Sequence, residues 1–135
     1  MISALDTSVL IDVLWGDPLF AAASRCALED SARAGALIVS PVVVAELRQA
    51  YERDEEVVEL LVDLGIHVIP LETRDGLYAG AVHRRYRKAG GTRSRVVADF
   101  LIGAHAVHRA DRLVARDRGF FRDYFSGLTV WYPAP

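Results

Sequence analysis

Short apolar runs recur along the chain at residues 2–5, 37–39, 66–71, 113–115 and 128–131, and segments with helical apolar spacing separate them. Runs this short that alternate with amphipathic helices predict a mostly parallel sheet with helices on both faces, because parallel strands need a crossover between them. Helices are expected over 8–15 and 18–34, with Gly16-Asp17-Pro18 as the turn between them. Ser40 is expected to cap, rather than to contact a phosphate from, a helix that carries Pro41 in its first turn and runs to about residue 52. Asp54 is expected to cap the next, whose stripe is Val57, Val58, Leu61, Val62 and Leu64, with Gly65 at its end. Two further helices are expected over 73–89 and from about 95 to 110, with Gly90-Gly91-Thr92 as the loop between them.

The length of 135 residues suits one domain spanning 1–135. A hydrophobic content of 52% with 25% charged residues is that of a globular chain, which excludes disordered and fibrous classes. No apolar stretch approaches the roughly 20 residues of a membrane span, and the N-terminus lacks a signal-peptide pattern. Cys26 is the only cysteine, so disulfide frameworks and cysteine-based zinc sites within the chain are excluded. The expectation is a soluble cytoplasmic protein with no membrane attachment.

Charge is unevenly spread. Between Asp75 and Asp99 there is no acid, and Arg84, Arg85, Arg87, Lys88, Arg93 and Arg95 fill the gap with His83 and Tyr86 among them. Fifteen of the sixteen basic residues are arginine, the side chain best suited to bidentate phosphate contacts. Such a segment is either a nucleic-acid contact or a solvated helix face.

Four acids stand where apolar patterning would bury them. Asp6 follows the first run, Glu46 lies inside "SPVVVAELRQAY", Asp99 lies one turn into "VVADFLIGAHAV", and Asp117 follows "RLVAR". Asp6 taken alone reads first as a helix cap, but a lone buried charge is expensive unless it is paired or bound to a metal. If the four converge, their repulsion requires cations, and oxygen-only ligation suits Mg²⁺ or Mn²⁺ rather than zinc. Such ions activate water and stabilise a leaving oxygen on phosphorus. An acidic metal pocket beside an arginine-rich segment is the equipment of a metal-dependent nuclease.

These segments resemble those of PIN domains, and more narrowly the VapC toxins of toxin–antitoxin pairs. "LDTSVLID" is similar to the family's opening strand and helix, "SPVVVAEL" to its central acidic motif, "ADFLIGAHA" to its third and "LVARDRGF" to its fourth. The resemblance covers essentially the whole chain. It implies a three-layer α/β/α sandwich and a Mg²⁺- or Mn²⁺-dependent ribonuclease that cleaves transfer RNA or ribosomal RNA. Asp6, Glu46, Asp99 and Asp117 become the metal-binding and catalytic acids. It further implies a VapB-like antitoxin partner and a homodimer. Two positions depart from the family's pattern: Ser8 stands where Asn is frequent, and Ala115 where Thr or Ser is frequent.

Arg93, Arg95 and Thr7 are the candidate substrate contacts, with Thr7 also able to cap its helix or steady Asp6. An antitoxin would need an apolar groove, expected around residues 9–15 and 42–51. Asp12, about one helical turn after Ser8, is expected at the surface rather than at the pocket rim, His105 and His108 as one core and one surface histidine, and Asp123 as a local cap or ion pair. A haloacid dehalogenase-type phosphatase would need a second Asp where Ser8 stands, and a receiver domain a late lysine, whereas Lys88 is the only lysine. The remaining alternative is a PIN-like module that binds RNA or protein without cleavage.

Overall fold

Each expected apolar run contributes a strand in the computed structural model, which describes residues 1–117 and 119–135. In chain order the elements are β1 (Ile2–Leu5), α1 (Thr7–Leu14), α2 (Ala21–Ala34), β2 (Ala36–Val39), α3 (Pro41–Arg48) and α4 (Asp54–Asp63). Then come β3 (Ile66–Val68), α5 (Thr73–Lys88), α6 (Val97–Arg109), β4 (Arg112–Val114), α7 (Phe120–Tyr124) and β5 (Val130–Trp131). The strands form one sheet in the order β3-β2-β1-β4-β5, with every described pairing parallel. Helices flank the sheet: α2 packs on β1 and β2, while α6 packs on β1 and β4 and carries α5 against it. The result is the three-layer α/β/α sandwich. Ala4, Leu5, Val39, Leu113 and Val114 are buried, as strands covered on both faces must be.

Where elements are shorter than expected, local chemistry explains it. The run 66–71 stops pairing at Val68 because Pro70 has no N–H to donate, although Ile69 N–H still reaches the Val39 carbonyl at 3.0 Å. The second helix starts at Ala21 rather than residue 18, since Asp17 accepts from the N–H groups of Leu19 (2.9 Å) and Phe20 (2.8 Å) in a turn. The helix expected to reach residue 52 ends at Arg48, whose guanidinium turns back onto the carbonyls of Tyr51 and Glu52. Asp54 is the first residue of α4 and not its cap; with Glu55 and Glu56 it places negative charge at the positive end of the helix. The last run contributes only Val130 and Trp131 to the sheet. No helix among the described residues is long and apolar enough to cross a membrane.

The order 3-2-1-4-5 reverses direction between β1 and β4, so the crevice at their C-terminal ends is where an open parallel sheet receives a ligand. Asp6 immediately follows β1, and Asp117 lies just beyond β4. Away from that crevice, α5 and α6 are locked by a buried ion pair. Asp75 is fully buried and accepts from Arg109 Nη2 at 2.6 Å and Nη1 at 2.8 Å, and from His108 Nδ1 at 2.6 Å. His105 is the expected core histidine, with Nε2 at 2.8 Å from the Ile69 carbonyl; His108 is half-buried by its contact with Asp75. Burial alone would raise the Asp75 pKa, but the bonds from Arg109, His108 and the Glu72 N–H outweigh it and hold the carboxyl far below the usual range. Because the folded pKa is depressed, this stabilisation is present at neutral pH and is lost as pH falls below the ordinary aspartate value of about 3.9. Arg109→Ala should lower unfolding stability by about 3–5 kcal/mol at neutral pH, since it strands a buried charge. Denaturant melts would register this, with a smaller deficit in strong acid.

Candidate active site

Asp6 caps α1 and faces the crevice at once. Its Oδ2 accepts from the Ser8 N–H at 3.2 Å and from the Ser8 hydroxyl at 2.5 Å. Removal from water pushes the Asp6 pKa up; the Ser8 bonds oppose this, and the nearby charges of Glu46 and Asp99 push it further up. Asp6, Glu46 and Asp99 therefore share one electrostatic neighbourhood, drawn from the end of β1, the middle of α3 and the first turn of α6.

Each of the other acids is held by its own local bond. Glu46 Oε1 accepts from Thr7 Oγ1 at 2.6 Å, which ties α1 to α3. Asp99 Oδ2 accepts from the Val96 N–H at 3.0 Å across the first turn of α6. Asp117 accepts from the N–H groups of Gly119 (3.2 Å) and Phe120 (3.0 Å), and Arg95 Nη2 lies 2.6 Å from its Oδ2. The Arg95 guanidinium also lies 4.3 Å from the centre of the Phe120 ring. Asp117 is thus neutralised by a cation of this same chain, and Arg95 is paired rather than standing free for a substrate. Among the described residues Arg93 has no such partner, and it lines a cleft of about 550 Å³ with His83, Arg87 and Arg95.

Among the described residues, no three His, Cys, Asp or Glu side chains are gathered closely enough to hold a metal ion as they stand. The donor set nevertheless fits a hard divalent cation. It offers carboxylate oxygens only, and Asp6, drawn out of water and with the charges of Glu46 and Asp99 nearby, is a carboxylate whose ionised form a cation would stabilise.

Asp12 corrects the surface expectation: it is 1% exposed. Its carboxylate receives Arg116 in bidentate fashion, at 3.0 Å from Nε and 2.7 Å from Nη2, and Ser24 Oγ at 2.9 Å. The Arg116 N–H donates to Ser8 Oγ at 3.0 Å, and Ser8 in turn donates to Asp6. This chain of bonds joins the segments after β1 and β4, the two that carry Asp6 and Asp117. The sequence carried one signal of it, the spacing of Ser8 and Asp12 a helical turn apart, and none of the Arg116 partner. Asp123 pairs with its neighbour Arg122 at 3.1 Å, as expected of a local ion pair. The apolar groove is only partly where it was expected. Val9, Leu10, Val43 and Leu47 are buried, and a cleft of about 380 Å³ is walled by Pro41 and Val44 of α3 with Val57, Val58 and Leu61 of α4 and Val68 of β3.

The family model for the PIN domain matches residues 4–125, and the chain belongs to that family. Solved structures share its fold. VapBC2 from Rickettsia felis, bound to a DNA fragment from their promoter, matches at TM-score 0.75 and 22% identity, covering 98% of each chain. A toxin–antitoxin complex from Klebsiella pneumoniae matches at TM-score 0.70 and 21% identity, covering 97% of each. VapBC-5 from Mycobacterium tuberculosis, a member of the VapBC family of toxin–antitoxin systems, matches at 0.63 and 20%, covering 97% of this chain and 98% of that one. No curated protein sequence matches the chain.

Because the folded pKa of Asp6 is raised, its ionised form opposes folding above that pKa, and the penalty disappears below the unfolded value. Asp6→Asn should therefore raise the thermal midpoint of the metal-free protein by a few degrees at neutral pH. The gain should vanish in acid, and thermal scans across pH would follow it.

Proposed function

We propose that this protein is a Mg²⁺- or Mn²⁺-dependent endoribonuclease, the toxin of a pair with a VapB-like antitoxin, acting on transfer RNA or ribosomal RNA. The observation that carries the reading is the place of Asp6, at the end of the central strand where strand order reverses in a PIN domain, with Glu46 and Asp99 near enough for their charges to act on it. The likeness in fold to VapBC structures supports the antitoxin partner. A homodimer and a cytoplasmic site of action belong to the same reading, and Val58, Val62 and Val68 leave exposed apolar surface on α4 and edge strand β3 for a protein partner.

Asp6, Glu46 and Asp99 would hold the ion, with Asp117 joining or acting through water once Arg95 leaves it. The metal would supply an activated water and charge stabilisation at the scissile phosphate. Thr7 donates to Glu46 and so orients it, and it would stand beside the substrate path. Arg95, released from Asp117, would pass to a substrate phosphate next to Arg93. The other reading is an RNA-binding PIN module without cleavage, and the observation in its favour is the Arg95–Asp117 pair, which occupies one of the four acids.

Cleavage of RNA by the intact chain should require Mg²⁺ or Mn²⁺ and stop with EDTA. Asp99→Asn should reduce cleavage by at least about 10²-fold, as loss of a group that stabilises transition-state charge does. The binding-module reading predicts no metal-dependent cleavage by the wild-type chain at all. Arg95→Gln should tighten Mn²⁺ binding several-fold in calorimetry by freeing Asp117; unchanged affinity would mean that Arg95 does not compete with the ion.

A further inference from the structure

The C-terminal half of α5 and the loop before α6 build a basic groove outside the acidic site. Gly80, His83, Arg84, Arg87 and Lys88 line a cleft of about 450 Å³. His83 and Arg87 also line the second cleft, of about 550 Å³, with Gly91, Thr92, Arg93, Arg95, Val96 and Val97. The two clefts are thus one path that shares His83 and Arg87.

The cations along it are available. Among the described residues, the side chains of Arg84, Arg87, Lys88 and Arg93 form no ion pair or hydrogen bond. Arg85, adjacent in sequence, is turned away and donates to the Tyr124 carbonyl at 3.1 Å. Among the described residues, no acid lines either cleft. Four unpaired cations side by side repel one another, so the free protein carries a local cost that a polyanion would remove.

The groove is also more than a charged face. The His83 ring stacks on Phe100, with centroids 4.2 Å apart and planes 16° from parallel. Val96 and Val97 stand 56% and 57% exposed beside it. Gly91 allows the loop to lie on the Tyr86 ring, where a Cβ would collide, and the Gly91 N–H donates to the Tyr86 carbonyl at 2.9 Å. The wall is therefore seated on the core. A planar ring and exposed apolar side chains between guanidinium groups match an unstacked nucleobase flanked by phosphates. A duplex hides its base faces in the stack and would use only the cations.

The inner end of the path meets the acids. Val96 lines the groove while its N–H holds Asp99, and Arg95 lines it while paired to Asp117. We propose that this groove binds a single-stranded stretch of RNA beyond the scissile phosphate, its phosphates on Arg84, Arg87, Lys88 and Arg93 and a base against His83, Val96 and Val97. The inference rests on the ribonuclease reading and extends it to the strand state and path of the substrate.

The test measures binding of a labelled oligouridylate to the full chain in EDTA across a salt series, so that no cleavage is involved. Arg84→Gln, Arg87→Gln and Arg93→Gln together should flatten the log–log salt slope by roughly 2, at about 0.7 per phosphate contact on a single strand. Arg25→Gln, which removes an exposed charge on α2, should leave the slope as it is. A duplex of equal length should bind more weakly than the single strand. An unchanged slope in the triple variant overturns the proposal, as does an equal loss with Arg25→Gln or duplex binding as tight as the single strand. Weakened binding of an oligoglutamate peptide with an unchanged RNA slope would assign the groove to an acidic protein segment instead and equally overturn it. Wild-type cleavage with Mn²⁺ is scored separately, so failure of the nuclease reading shows there and failure of the groove shows in the slope.

Discussion

A carboxylate drawn out of water at the end of the central strand sets the conditions for its surroundings. Asp6 is held there by two bonds from Ser8, yet burial and the charges of Glu46 and Asp99 push its pKa up. Three chain segments distant in sequence must therefore hold like charges together. The fold bears this because β1 is central, α3 is tied to α1 through Thr7 and Glu46, and α6 packs against both β1 and α3. Strain of this kind is typical of functional sites, where stability is given up for chemistry.

The bonds that brace these acids come from neighbours outside the acidic cluster. Asp12 and Arg116 form a bidentate pair braced by Ser24, and the Arg116 backbone rests on Ser8. The ends of β1 and β4 are thereby fastened to each other at the crevice between them. On α5 and α6, Asp75 and Arg109 do the same for the helix pair that bears the basic groove at one end. Ser8 works here as a relay between Asp6 and the β4 segment, so its hydroxyl has a defined structural task.

Much of this was legible in the sequence, for physical reasons. The parallel sheet followed from period and length, because short apolar runs between amphipathic helices have few other solutions. Asp6, Glu46 and Asp99 stood out because a charge inside an apolar run demands an explanation. The burial of Asp12 was not legible: its partner Arg116 lies about a hundred residues away, and only the sheet order brings them together. The Arg95–Asp117 pair was hidden for the same reason, since local sequence cannot tell an arginine that waits for phosphate from one already paired. Element ends moved where a single side chain or a proline redirected the backbone, as at Arg48, Asp17 and Pro70.

The central claim is that Asp6, Glu46 and Asp99 act together as one site for a divalent cation. Anomalous diffraction from crystals of the full chain soaked in Mn²⁺ tests it most directly. The account predicts a manganese peak contacted by carboxylate oxygens of all three residues. Saturating Mn²⁺ with no peak between them, or with peaks only elsewhere on the surface, would contradict it.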